Sequence, residues 1–130
     1  MQPGDTTKPE ADGLAVERSD HGTVAVFRVT GEVDVLTAPM LDRTVAQVYG
    51  TGVTHVVLDL TEVPFLSSAG LSVLVDHQAR GKREGVGLSV VASRRATLRA
   101  IQITALDRII PLFATADQAL AAIEADDTPQ

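Results

Sequence analysis

A chain of 130 residues with 45% hydrophobic side chains fits one domain and can bury a core without covalent staples. It has no cysteine, which excludes disulfides, thiolate metal sites and cysteine nucleophiles and agrees with a reducing compartment. A formal net charge of −6 argues against a phosphate-backbone partner, and 3% aromatics without Trp leave no base-stacking platform or membrane belt.

Residues 1–12, MQPGDTTKPEAD, mix Pro, Gly, Thr and charge without periodicity; they read as a flexible tail and lack the apolar stretch of a secretory signal. The domain is expected over 13–125, with a second flexible tail at 126–130. No run approaches the about 18 apolar residues of a membrane span, so a cytoplasmic protein without membrane or direct nucleic-acid partners is expected.

Leu14, Val16 and Arg18 alternate with Ala15, Glu17 and Ser19 as a first strand, Asp20-His21-Gly22 reads as a turn, and Thr23 to Thr30 completes a hairpin. Gly31 to Leu36 then lead to Thr37, a predicted helix cap, with Pro39 in the first turn, where its missing amide hydrogen is harmless. Leu41, Val45 and Val48 give that helix one apolar face, which Gly50 and Gly52 close.

Val56, Val57, Leu58 and Leu60 form an apolar run suited to a strand covered on both faces, with Asp59 near its carboxyl end. Helical spacing resumes at Leu71, Leu74, Val75 and Gln78 behind Ser67-Ser68. A hydrophobic residue before a cap often packs on the residue four places after the cap. With Ser67 as cap that pair is Leu66 and Leu71; with Ser68 it would be Ser67 and Ser72. Ser67 is therefore the expected cap and Ser68 the first helical residue, its hydroxyl free beside unpaired amide hydrogens where an anion is favoured.

The segment Gly81 to Gly87 breaks the helical pattern, and Leu88 to Ala92 resumes as a strand. Gly85-x-Gly87 precedes a strand where a dinucleotide fingerprint would follow one, so it reads as a turn. Ser93 is expected to start a helix carrying Leu98, Ile101 and Gln102 toward Ala105. Ile109 to Phe113 is the last predicted strand, at an edge because of Pro111. Thr115 to Gln118 matches a capping box ahead of Leu120 and Ile123. Strand-helix alternation after the opening hairpin predicts an α/β domain with a mostly parallel mixed sheet, one antiparallel strand and about four helices.

His21, His55 and His77 have no metal-site spacing and read as surface residues. A nucleophile elbow needs glycine two places before its serine, where this chain has Leu66. No catalytic residue, cofactor or metal is expected. Arg94, Arg95 and Arg99 form a local basic group that reads as a solvated helix face, with a protein contact as the lesser reading.

VVLDLTEVPFLSSAGLSVLV, with the upstream GEVDVLTAPML, resembles the STAS domain of bacterial anti-sigma factor antagonists, over about Leu14 to Ile123. In that family a strand leads into a phosphorylatable serine followed by a small residue, glycine and leucine. The resemblance places the acceptor on Ser68, followed by Ala69, Gly70 and Leu71, with Ser67 as the alternate. Many members carry aspartate immediately before the acceptor; this chain has Ser67. The resemblance further implies a partner surface including Asp34, Thr37, Ser67, Ala69, Gly70 and Ser72. Asp34 is either an acid beside the acceptor or a cap of its own backbone. Gly70 answers either a close partner approach or packing against the first helix. By the same resemblance the unphosphorylated form binds an anti-sigma factor that is also a serine kinase and holds the ATP, and a metal-dependent phosphatase reverses the modification. The alternatives are a STAS scaffold within a larger sensory assembly and a receiver-like domain phosphorylated on Asp59.

Overall fold

Six strands form one sheet in the order β1-β2-β3-β4-β5-β6 in a computed structural model that describes residues 10, 11 and 13–126. The strands are β1 (Glu10–Ala11), β2 (Leu14–His21), β3 (Val24–Thr30), β4 (His55–Glu62), β5 (Gly87–Val91) and β6 (Leu112–Phe113). β2 runs antiparallel to both β1 and β3, while β3, β4, β5 and β6 pair in parallel, so β2 is the single strand of opposite direction. The helices are α1 (Ala38–Ala46), α2 (Ser68–Glu84), α3 (Arg95–Ile103) and α4 (Ala116–Asp126). The expected α/β class, mixed sheet and helices are all present.

Strand alternation divides the core. Leu14, Val16, Phe27, Val29, Leu58 and Val90 pack with residues of α1, α2 and α3, whereas Val24, Val26, Val57 and Val91 meet only α4, through Ala119 and Ile123. The central strand β4 is buried from Val56 to Leu60, as its unbroken apolar run requires.

Several boundaries differ from expectation, each for a physical reason. Glu10–Ala11, inside the stretch expected to be a tail, pairs with Ala15 and Leu14, and Asp126 closes α4; residues 1–9, 12 and 127–130 lie outside the described residues. β2 continues through Asp20 and His21, because Gly22 with φ of 63° makes the tight hairpin turn with Thr23. α2 does not stop at Gly81. A Cβ there would lie 2.2 Å from the Val86 carbonyl oxygen, so glycine keeps the helix intact while the chain folds back over it, and Gly85 at φ of 75° ends the helix. α3 starts at Arg95, with Arg94 and not Ser93 in the capping position and no side-chain capping bond. The last strand shortens to Leu112–Phe113 because Leu106–Arg108 turns as a short 3-10 segment; Pro111 sits just before this edge strand, its carbonyl accepting from the Val90 amide. Ala105 enters that turn at φ of 61°.

His77, expected at the surface, is buried between α1 and α2. Its Nε2 lies 2.7 Å from Asp42 Oδ1 and its Nδ1 2.8 Å from the Tyr49 hydroxyl, with the Arg80 guanidinium 4.0 Å over the tyrosine ring. Burial pushes the Tyr49 phenol above its ordinary value, against the opposing pull of Arg80. His21 is exposed and His55 half-buried.

Candidate functional site

At the carboxyl end of β4 the chain must turn from a buried strand into α2, and three sets of hydrogen bonds fix the turn. The Thr97 hydroxyl of α3 donates to the Val63 carbonyl at 2.7 Å, and Arg94 Nε donates to the Thr61 carbonyl at 3.2 Å. The loops before α1 and α2 also join: Val33 N–H donates to Phe65 O at 3.1 Å and Ser67 N–H to Val33 O at 2.9 Å, closing a parallel bridge between Val33 and Leu66. The segment carrying Asp34 is thereby held against the segment carrying Ser67 and Ser68.

Ser67 caps α2. Its extended backbone leads into the helix and its Oγ accepts from the Gly70 amide at 3.4 Å, while its carbonyl accepts from Leu71 N–H at 2.9 Å. Leu66 is buried and Leu71 partly buried in the same core, consistent with the expected staple. Ser68 is the first helical residue and exposed. Its hydroxyl makes no hydrogen bond to any described residue, and neither its amide nor that of Ala69 has a partner among them. Ser72, one turn on, is also exposed, and Ala69 is half-buried.

Asp34 caps its own backbone. Its Oδ1 accepts from Leu36 N–H at 2.9 Å, Thr37 N–H at 3.0 Å and the Thr37 hydroxyl at 3.2 Å, and its carbonyl accepts from Ala38 N–H. The Thr37 amide above all, opposed by desolvation and supported by the Leu36 amide and the Thr37 hydroxyl, holds its carboxyl below the ordinary aspartate range. Thr37, the expected cap, makes no capping bond. It is buried, its hydroxyl oxygen accepts from Asp34 N–H at 2.9 Å, and its single proton is shared between the Glu32 carbonyl at 2.9 Å and Asp34 Oδ1 at 3.2 Å. The pair is a reciprocal capping box with Asp34 in the first position, one turn earlier than Thr37 alone would suggest. Of the two readings of Asp34, the capping contacts are the ones present.

Gly70 answers a packing need, though not against α1. A Cβ would lie 2.5 Å from Leu66 Cδ1 and 2.9 Å from Val33 Cγ1, the two residues that bridge the loops. In the two loops joined by that bridge, Val35, Leu36 and Phe65 are 73%, 70% and 49% exposed. Periodicity missed all three, because they stand in loops; the available signal was a pair of large apolar residues, Val35-Leu36, placed in no helix or strand. Asp59 is buried on the α4 face of the sheet and accepts from the amide and hydroxyl of Thr61. Among the described residues no group of three acids or imidazoles could hold a metal, so the receiver-like alternative lacks the acids that would bind Mg²⁺. Arg94 is engaged with Glu62 at 3.2 Å, while Arg95 and Arg99 are exposed on α3.

A family model described as the STAS domain matches residues 15–119. The chain belongs to the STAS domain family. Among the relatives of this STAS domain, the protein named anti-sigma-F factor antagonist RsfB of Mycobacterium tuberculosis is 36% identical over 112 residues, covering 86% of this chain and 91% of that one. The crystal structure of an anti-sigma factor antagonist from Mycobacterium paratuberculosis superposes with a TM-score of 0.78 at 39% identity, over 85% of this chain and 94% of that one. The anti-sigma factor antagonist SpoIIAA in its unphosphorylated form shares the fold, with a TM-score of 0.72 at 15% identity over 85% and 97% of the two chains. No described helix of this STAS domain is long and apolar enough to cross a membrane.

Proposed function

We propose that this STAS domain is an anti-sigma factor antagonist switched by phosphorylation of Ser68. Its unphosphorylated form binds an anti-sigma factor that is also a serine kinase and so frees a sigma factor. The observation that carries the reading is the Ser68 hydroxyl, exposed at the first position of α2 without a hydrogen bond to any described residue, at the end of the sheet where the bridged loops also expose Val35, Leu36 and Phe65. The kinase partner supplies ATP. The Ser68 oxygen attacks the γ-phosphorus, the bond to ADP breaks, and the hydroxyl proton passes to a base of the partner. A metal-dependent serine phosphatase hydrolyses the ester and restores the free hydroxyl.

Ser67 is the weaker acceptor because its oxygen already serves the Gly70 amide and the residue is half-buried. Asp34, Thr37, Ser67, Ala69, Gly70 and Ser72 border the contact surface in different ways. Asp34, Thr37, Ser67 and Gly70 set the backbone, whereas the exposed Ser72 side chain is free to touch a partner. Incubation with the cognate kinase and ATP is expected to add one phosphate, abolished by Ser68→Ala and retained in Ser67→Ala. The phosphorylated chain should bind the anti-sigma factor at least tenfold more weakly, about 1.4 kcal/mol. Modification confined to Ser67, or equal binding by both forms, refutes the reading.

A further inference from the structure

α3 is built against local helix preference. Its nine residues, RATLRAIQI, contain no acid, in a chain whose acids outnumber its Lys and Arg by 17 to 11. Arg94 stands in the capping position without a capping bond, and Arg95 follows as the first helical residue, at the end of a helix that favours negative charge. Arg99 repeats the charge one turn on, at the spacing where like charges repel. Both Arg95 and Arg99 are exposed, and neither has a hydrogen bond or ion pair with any described residue. Ile103, the next position on that stripe, is 73% exposed. A helix face that only met water would gain from acids in its first turn and from charges of mixed sign. This one forgoes both and keeps two guanidinium groups in line with an exposed isoleucine, a local conflict of the kind that marks functional surfaces.

The fold ties this stripe to the Ser68 surface. α2 and α3 each cross over between parallel strands, β4 to β5 and β5 to β6, and bury side chains in the same core cluster, so they lie on one face of the sheet and run the same way. Both amino ends stand at the carboxyl end of the strands. The outer side of that helix layer exposes Ser68, Ser72 and Val75 on α2 and Arg95, Arg99 and Ile103 on α3. The start of α3 is also bonded to the loop that carries Phe65, through the Thr97 hydroxyl on the Val63 carbonyl and Arg94 on the Thr61 carbonyl and Glu62.

We infer that the Arg95, Arg99 and Ile103 stripe of α3 is a second contact area for the anti-sigma factor, taking a segment that presents carboxylates and an apolar side chain. The inference rests on the switching reading above. Arginine suits such a contact because its planar fork meets a carboxylate with two hydrogen bonds. Val35, Leu36 and Phe65 carry no charge that could orient a partner; the stripe supplies one, and it steers an acidic surface while opposing a basic one.

The test is a titration of the unphosphorylated full chain with the cognate anti-sigma factor at low and high salt. Arg95→Glu/Arg99→Glu is expected to weaken binding at least tenfold at low salt and to flatten its salt dependence. Arg95→Gln/Arg99→Gln should weaken it at least fivefold and Ile103→Ser at least threefold. Lys82→Gln/Arg83→Gln is the control, because it changes the net charge by the same amount at the exposed carboxyl end of α2, and it should weaken binding less than twofold. Urea unfolding of each variant shows that the fold is kept. Unchanged affinity and salt dependence in the folded Arg95→Glu/Arg99→Glu protein, or an equal loss in the two glutamine variants, overturns the inference and leaves the switch standing. An effect that arises only once Ser68 is phosphorylated also overturns it, since the arginines would then serve the phosphate. Failure of the parent chain to bind overturns both the inference and the reading on which it rests.

Discussion

Gly70→Ala separates a glycine kept for packing from one kept for a partner. The added methyl meets Leu66 Cδ1 at 2.5 Å and Val33 Cγ1 at 2.9 Å, both inside contact distance. Leu66 could turn its terminal methyl aside in open surroundings, but it is 4% exposed, and the β-branched Val33 is fully buried with one strongly preferred rotamer. Overpacking of this kind costs about 1–3 kcal/mol. Alanine returns up to about 1 kcal/mol of helix propensity over glycine. The net expectation is a loss of about 1–2 kcal/mol, read as a lower urea midpoint with an unchanged slope. A cycle with Val33→Ala adds a second control: if the clash is with Val33, the methyl should cost markedly less in the Val33→Ala background. A Gly70→Ala protein at least as stable as the parent would refute the packing account and return the glycine to a role at the partner surface.

Asp34→Ala is expected to lower the melting temperature by removing the acceptor for Leu36 and Thr37, and thermal unfolding across pH checks it. Because the folded carboxyl is held below its ordinary value, the difference from the parent should be full above the usual aspartate range and vanish as pH falls through the lowered one. Ala105→Gly relieves a left-handed alanine at φ of 61°, a strain of about 1–2 kcal/mol, against about 0.4–1 kcal/mol of added unfolded-chain entropy. The urea midpoint should therefore rise by the equivalent of up to about 1 kcal/mol; a fall would mean that the turn relaxes around alanine at no cost.

The strands β2 to β5 and the start of α2 were legible because they follow from local chemistry: an unbroken apolar run for β4, and a staple test that distinguishes Ser67 from Ser68. What escaped depends on approach between distant segments. Nothing near Gly81 announces that the Val86 carbonyl will lie over it, so a glycine inside a helix reads as its end. His77 reads as solvent-facing until Asp42 and Tyr49, about two turns apart along α1 and its extension, bracket its ring. Thr37 looks like a cap by type and position, yet Asp34 offers the better acceptor and reverses the roles in the box.

The same geometry indicates how a charge at Ser68 would act. α2 is held along its length: at its start by Gly70 on Leu66 and Val33, in its middle by buried Val73, Leu74 and His77, and at its end by Gly81 under Val86. A phosphoryl group adds roughly −1.5 to −2 charges at the amino end, beside the amides of Ser68 and Ala69, which have no partner among the described residues. There the helix dipole favours an anion by about 0.3–1 kcal/mol, a small gain of the sign that keeps the helix folded. A partner resting on Val35, Leu36 and Phe65 would instead have to strip water from that charge, and the effective penalty for burying an ion is several kcal/mol unless a countercharge meets it. The penalty at the contact exceeds the gain within the fold, so a phosphate at Ser68 would act by excluding the partner while leaving α2 intact.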